Sequence, residues 1–254
     1  MGFLSRFGVG GPTVDLRLDH PNTQPGGTLT GHLHLKGGSD AAEVTGVAVM
    51  LEAVVEVEHG DEEWRENVVF AKQPLFGAFT LNAGQEISAP VQLTVPWEAP
   101  ITALGGWNLR GMQVGTRTQV DIRGAVDPTD RDPVAIHPLP SQDAVLRALA
   151  SLGWQFRSAD LEKGRLPDSS LPFYQELEFV PSHRGSISEL EVTFITRPDA
   201  MKVVLEANRR GGFLSAGGDA YASVVLPHAS AVDEGRLRNE LAAQVERLSQ
   251  RRGW

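Results

Sequence analysis

The chain has 254 residues, 41% hydrophobic and 22% charged, the composition of an ordinary globular protein and not of a disordered one. A formal charge of -9 repels a phosphate backbone or an anionic membrane on average, which makes nucleic acid a poor partner. Zero cysteines remove disulfides, thiolate metal sites and cysteine nucleophiles together, and suit a reducing cytoplasm.

Met1 to Gly11 holds only the short apolar pieces Phe3-Leu4 and Phe7, too little for a signal peptide. Met1-Gly2 hints at acylation, but Arg6 stands where that motif wants Ser or Thr. No run of ~18 apolar residues occurs, so no membrane span is expected, and the chain reads as cytoplasmic and unanchored.

From Thr13 onward the dominant signal is alternation with period two, which places every second side chain on the same face of a strand. Val14, Leu16 and Leu18 alternate with Asp15 and Arg17. From Thr28, Leu29, Leu33 and Leu35 face inward while Thr30, His32, His34 and Lys36 face out. Val47, Val49, Leu51, Ala53, Val55 and Val57 alternate with Glu52, Glu56 and Glu58. Ile87, Ala89, Val91, Leu93 and Val95 form a fourth series, interrupted by Pro90, which predicts an edge or a bulge there. Val120, Ile122 and Val126 form a fifth.

Pro25-Gly26-Gly27, Gly37-Gly38, His59-Gly60-Asp61 and Asn82-Ala83-Gly84 are turn signals between them. Short alternating strands without helical crossovers favour antiparallel sheets packed as a sandwich.

The stretch 127–140, DPTDRDPVAIHPLP, carries four prolines and reads as a stiff linker. Ser141 then caps a short helix with Val145, Leu146, Leu149 and Leu152 on one face and Gly153 as its stop. Strands resume at Trp154, Tyr174, Glu189 and Met201, and a last one covers Tyr221 to Leu226. From Asp233 the period becomes helical, with Leu237, Leu241, Val245 and Leu248 in one stripe and Glu234 and Arg238 an i,i+4 pair.

The expected fold is all-β: two tandem antiparallel β-sandwiches with a short linker-side helix and a C-terminal amphipathic helix. The expected boundaries are a sandwich over 1–130, a linker over 131–140, a second sandwich over 141–230 and a helical tail over 231–254.

The stretches VDLRLD (14–19), PGGTLTGHLHLKGG (25–38), DIRGAVDPTDRDPVAIHP (121–138), LPFYQELEFVP (171–181), ELEVTFI and KVVLEANRRGG (within 189–212) occur in that order. Their ordered combination resembles the bacterial sporulation-control proteins with an arrestin-like fold. That resemblance implies two β-sandwiches in tandem, a cytoplasmic location and a regulatory, scaffold-like role through protein partners, without catalytic machinery.

Candidate chemistry is sparse. Asp127, Asp130 and Asp132 lack EF-hand spacing and are interrupted by prolines, so turn formation outweighs cation binding. His32 and His34 share a face without a third ligand, and the remaining histidines stand alone. No Gly-x-Ser-x-Gly or phosphate-binding loop is present, and carboxylate pairs such as Glu176 and Glu178 are not placed across a cleft by sequence. No catalytic, cofactor-binding or metal-binding residue is therefore assigned.

Arg209, Arg210, Phe213 and Leu214 join positive charge to an apolar tip and are candidate partner contacts, against the plainer reading that Phe213 and Leu214 fold into the core. The stripe Leu237, Leu241, Val245, Leu248 must be covered by its own domain, by a second copy in a homodimer, or by a partner groove. The expected partners are other proteins, joined by strand addition at a sheet edge. The rival reading is a carbohydrate-binding β-sandwich using Trp64, Trp97, Trp107 or Trp154 as a stacking platform.

Overall fold

The computed structural model describes residues 10–60, 62–209 and 220–250. The strands in chain order are β1 (Thr13–Leu18), β2 (Asn22–Thr23), β3 (Thr28–Lys36), β4 (Ala42–His59), β5 (Glu62–Phe76), β6 (Phe79–Leu81), β7 (Glu86–Thr94), β8 (Ala103–Leu104), β9 (Trp107–Asn108), β10 (Val114–Ile122), β11 (Thr129–Pro133) and β12 (Ala135–Ile136). After helix α1 (Pro140–Ser151) come β13 (Trp154–Lys163), β14 (Phe173–Pro181), β15 (Ile187–Thr196), β16 (Ala200–Arg209) and β17 (Ala220–Pro227). A 3-10 turn (His228–Val232) leads into α2 (Glu234–Gln250). No described helix is long and apolar enough to cross a membrane.

The chain forms two compact units, each built from separated segments. The first takes the described residues of Met1–Val54, Asn67–Pro96 and Gln113–Ile136; the second takes those of Val55–Glu66, Trp97–Met112 and His137–Trp254. The long strands β4 and β5 contribute to both, and the stretch read as linker supplies β11 and β12 to the first.

In the first unit, the sheet β1-β3-β7 is antiparallel throughout. It packs with β10 and β11, which extend a second sheet from β4. Alternation works as expected on β3, where Leu29, Leu33 and Leu35 are buried while His32 and Lys36 are exposed. Pro90 lies in β7, a strand at the end of its sheet, where a residue without an N–H does the least harm. Gly31 is required by closeness: a Cβ there would stand 2.4 Å from the Arg17 carbonyl oxygen on β1.

Three details depart from the sequence reading. Val126 lies beyond the end of β10 and is exposed, so it is not part of that strand. On β4 every residue from Val47 to Ala53 is buried, Glu52 included, because the strand lies inside its sheet and both faces are covered. Glu52 tolerates this because Arg117 Nε on β10 lies 3.0 Å from one carboxylate oxygen and Arg131 Nε on β11 lies 2.9 Å from the other. The strand β5 was not anticipated at all, since its EEWRENVVFAKQPLF has no sustained alternation.

In the second unit, β13 to β17 run in sequence order, each antiparallel to the next. One face carries the core: Leu177 and Phe179 (β14), Leu190 and Val192 (β15), Met201, Val203 and Leu205 (β16). Helices α1 and α2 cover it with Val145, Leu149, Leu237, Leu241 and Leu248, all buried, while Val245 packs at the margin. Leu139 precedes α1 as its cap, with Pro140 at the first helical position and the Gln142 side chain accepting from the Leu139 N–H at 2.8 Å. Ser141 is therefore inside the helix and not its cap. Asp233 caps α2, its carboxylate accepting from the Arg236 N–H at 3.0 Å. Glu234 reaches Arg147 of α1 at 3.4 Å.

Candidate functional site

The face of β13 to β16 turned away from the core is lined with carboxylates. This follows from alternation: Leu177, Leu190, Val192, Leu205 and Ala207 take the inner positions, so Glu176, Glu178, Glu189, Glu191 and Glu206 must take the outer ones. Register then sets their neighbours. Ser158, Glu178, Glu191, Glu206 and Tyr221 stand opposite one another in a single line from β13 to β17, and Asp160 stands opposite Glu176 in the next line.

Glu176, Glu191 and Glu206 each bring a carboxylate oxygen within 4.8 Å of the others. Like charges so placed disfavour ionisation. Burial, then Glu191 and Asp160, push the Glu176 carboxyl up to about 8. Burial, then Glu206 and Glu189, do the same to Glu191, against the pull of an Asn208 amide donating at 2.6 Å. Asp160 rises to about 7 through burial and the nearby Glu178.

One Asp160 oxygen is enclosed without a conventional donor, because its neighbour Glu178 is also an acceptor; a proton held on Asp160 makes that contact attractive. Glu178 stays low, since Ser158 and Arg157 both donate to it, and Arg157 also pairs with Glu189. Tyr174 is pushed up to about 12 by burial and by Glu176 and Glu162. Chemically, Glu176, Glu191 and Glu206 are an oxygen donor set suited to a hard cation, and without one Glu176 and Glu191 retain protons near neutrality.

The sequence placed no pair of these glutamates together. The available signal was a Glu-x-Glu on each of two successive strands followed by a single Glu on a third, readable only once those strands are known to be neighbours.

Of the candidate partner contacts, Leu237, Leu241 and Leu248 are buried within their own unit and Val245 is half-buried against the same core. Arg209 ends β16, and Arg210, Phe213 and Leu214 lie outside the described residues. Two of the candidate tryptophans are not available for stacking a ligand: Trp154 is buried and Trp97 stacks on His228 at 6.3 Å. Trp64 is exposed, and Trp107 is 80% exposed on the β8–β9 hairpin.

The aspartates of the proline-rich stretch act on backbone: Asp127 accepts from the Ile122 N–H at 2.8 Å and Asp130 from the Leu16 N–H at 2.7 Å, while Asp132 faces the Thr116 hydroxyl. His32 lies 3.9 Å from Asp19 at the surface.

One serine and histidine do meet. The Ser141 hydroxyl lies 2.8 Å from His228 Nδ1, and His228 Nε2 lies 2.8 Å from the Arg197 carbonyl oxygen. A carbonyl only accepts, so the proton is on Nε2 and Ser141 donates to Nδ1. With Ser141 5% exposed, the contact fastens the start of α1 to the end of β17 and does not present a nucleophile.

The comparisons with known proteins agree with one another. Residues 1–211 match the family described as SpoOM protein. The sporulation-control protein spo0M of Bacillus subtilis (strain 168) is 31% identical over 206 residues, 80% of this chain and 78% of that one. The crystal structure of Spo0M, a sporulation control protein from Bacillus subtilis, superposes with a TM-score of 0.83 at 27% identity, covering 94% of this chain and 99% of the other. The chain belongs to the SpoOM family.

Proposed function

We propose that this SpoOM-family chain is a non-catalytic regulatory protein of the arrestin-like type, which acts in the cytoplasm as a scaffold by binding other proteins. The name of its Bacillus subtilis relative, a sporulation-control protein, supports a regulatory role. The observation that carries the binding mode is that a sheet ends in a strand with one side unpaired among the described residues, β17 in the second unit. An extended segment from a partner adds to such an edge: backbone hydrogen bonds supply affinity and alternate side chains supply choice. Leu237, Leu241 and Leu248 are engaged in their own core, so this reading places partners on the sheets and not on α2.

The test is affinity capture from host cells with the full chain, followed by titration of each captured protein. A saturable interaction with at least one protein is expected; recovery of none that saturates overturns the reading.

The exposure of Trp107 favours a second reading, a β-protein that stacks a sugar ring on that indole. A glycan that quenches tryptophan fluorescence in the native chain and not in Trp107→Ala would replace the first reading with the second.

A further inference from the structure

Among the described strands of more than three residues, all but one of those with an open side are guarded against pairing. β1 carries Asp15 and Arg17, and its Leu16 amide is already satisfied by Asp130. β7 carries Glu86 and, at its middle, Pro90. β11 reads Thr-Asp-Arg-Asp-Pro, and β5 holds Glu62, Glu63, Arg65, Glu66, Lys72 and Pro74. Charge, proline and a satisfied amide are the means by which native edges refuse an added strand. β17 has none of them: AYASVVLP contains no charged residue, and its single proline is its last residue. It pairs with β16 and, among the described residues, with no strand on its other side.

Both faces of β17 are apolar. Toward the helices, Ala222, Val224 and Leu226 pack on the core yet remain half-buried. On the outer face Tyr221 is 51% and Val225 65% exposed. A strand laid alongside would complete the burial of the first set and cover the second.

The outer face also sets the charge of the occupant. Tyr221 ends the line that runs through Glu178, Glu191 and Glu206, so the facing residue of an added strand is the next member of an acidic row, beside an aromatic ring. A cation there meets the field of the row and the face of the tyrosine. At the other end Lys202 stands opposite Val225 and pairs with Asp168 at 2.9 Å, so that position adds no charge of its own. A second copy of the chain fits poorly. Antiparallel pairing of two β17 edges about a two-fold axis puts both acidic faces on the same side of one sheet, and each copy carries a formal charge of -9.

We propose that β17 is the docking strand of this protein, and that its occupant is an extended segment of another protein with Lys or Arg continuing the Glu178–Glu191–Glu206–Tyr221 row and aliphatic residues facing α2. This inference rests on the protein-binding reading above and adds to it which edge is used and what chemistry fits it.

The test titrates the full chain with a labelled peptide of about ten residues that alternates Val with Lys, and with its counterpart carrying Glu for Lys, at about 0.15 M salt. The basic peptide binds with saturation and the acidic one at least about tenfold more weakly. Hydrogen exchange of the complex shows new protection on β17. Val225→Lys, at an exposed position that the fold tolerates, guards the edge and weakens the basic peptide by about tenfold with the thermal midpoint unchanged. At pH 8.5, where Glu191 has lost its proton, Glu191→Gln weakens it by a smaller factor.

Protection that falls on β1 or β7, equal binding of both peptides, or a Val225-sensitive dimer of the chain in sedimentation would overturn the assignment of edge or occupant. If captured host proteins still bind Val225→Lys at full strength, the docking strand is wrong while the protein-binding reading stands; if no host protein binds at all, that broader reading fails.

Discussion

Glu191 on β15 stands directly opposite Glu178 on one side and Glu206 on the other, so three adjacent strands present like charges in register. Such pairs destabilise a sheet unless a cation or a proton intervenes.

The proton has a measurable consequence. Glu176 and Glu191 titrate at about 8 against an ordinary 4.5, and Asp160 at about 7 against 3.8, so the folded chain retains protons that the unfolded chain releases. Their stabilising contribution is complete below the ordinary values and is lost as the pH rises toward 7 to 8. Urea unfolding is expected to show the chain more stable near pH 5.5 than near pH 8.5, by on the order of 1 kcal/mol after solvent screening. Glu191→Gln should raise stability at the higher pH and flatten the profile. A stability that rises steadily from the lower pH to the higher would contradict this.

Glu52 is the hinge of a charge cluster in the first unit, held between Arg117 and Arg131, which themselves face each other across β10 and β11. Glu52→Ala leaves two guanidinium groups side by side without a counter-charge. A loss of about 2–4 kcal/mol is expected by chemical denaturation, tempered by the partial exposure of both arginines.

Leu241 is fully buried beneath α2, and Val245 sits at the margin of the same core. Leu241→Ala should cost about 3 kcal/mol, and Val245→Ala under about 1 kcal/mol. Equal and small effects, read from unfolding midpoints, would mean that the helix is not anchored as described.

The β8–β9 hairpin turns through Gly105 and Gly106, both at positive φ, a conformation that side chains disfavour. Gly106→Ala should therefore cost about 1–2 kcal/mol of local stability, seen as faster hydrogen exchange in the hairpin. Trp107→Ala, at an exposed tip, should leave global stability within about 0.5 kcal/mol.

The positions of the alternating strands, the inward and outward faces of β3, the edge nature of the proline strand and both helices were legible in the residues, because alternation and helical spacing are local patterns that burial imposes on neighbouring positions. The β-rich fold and the family resemblance followed from their order. Three things depended on pairing between distant segments. Glu52 is buried because arginines 65 and 79 positions away reach it. The acidic row exists because β14, β15 and β16 are adjacent in register, and β17 is open because nothing described pairs beyond it. Periodicity tells a side chain which way to face; what it meets there is set by which strands the folded chain brings alongside.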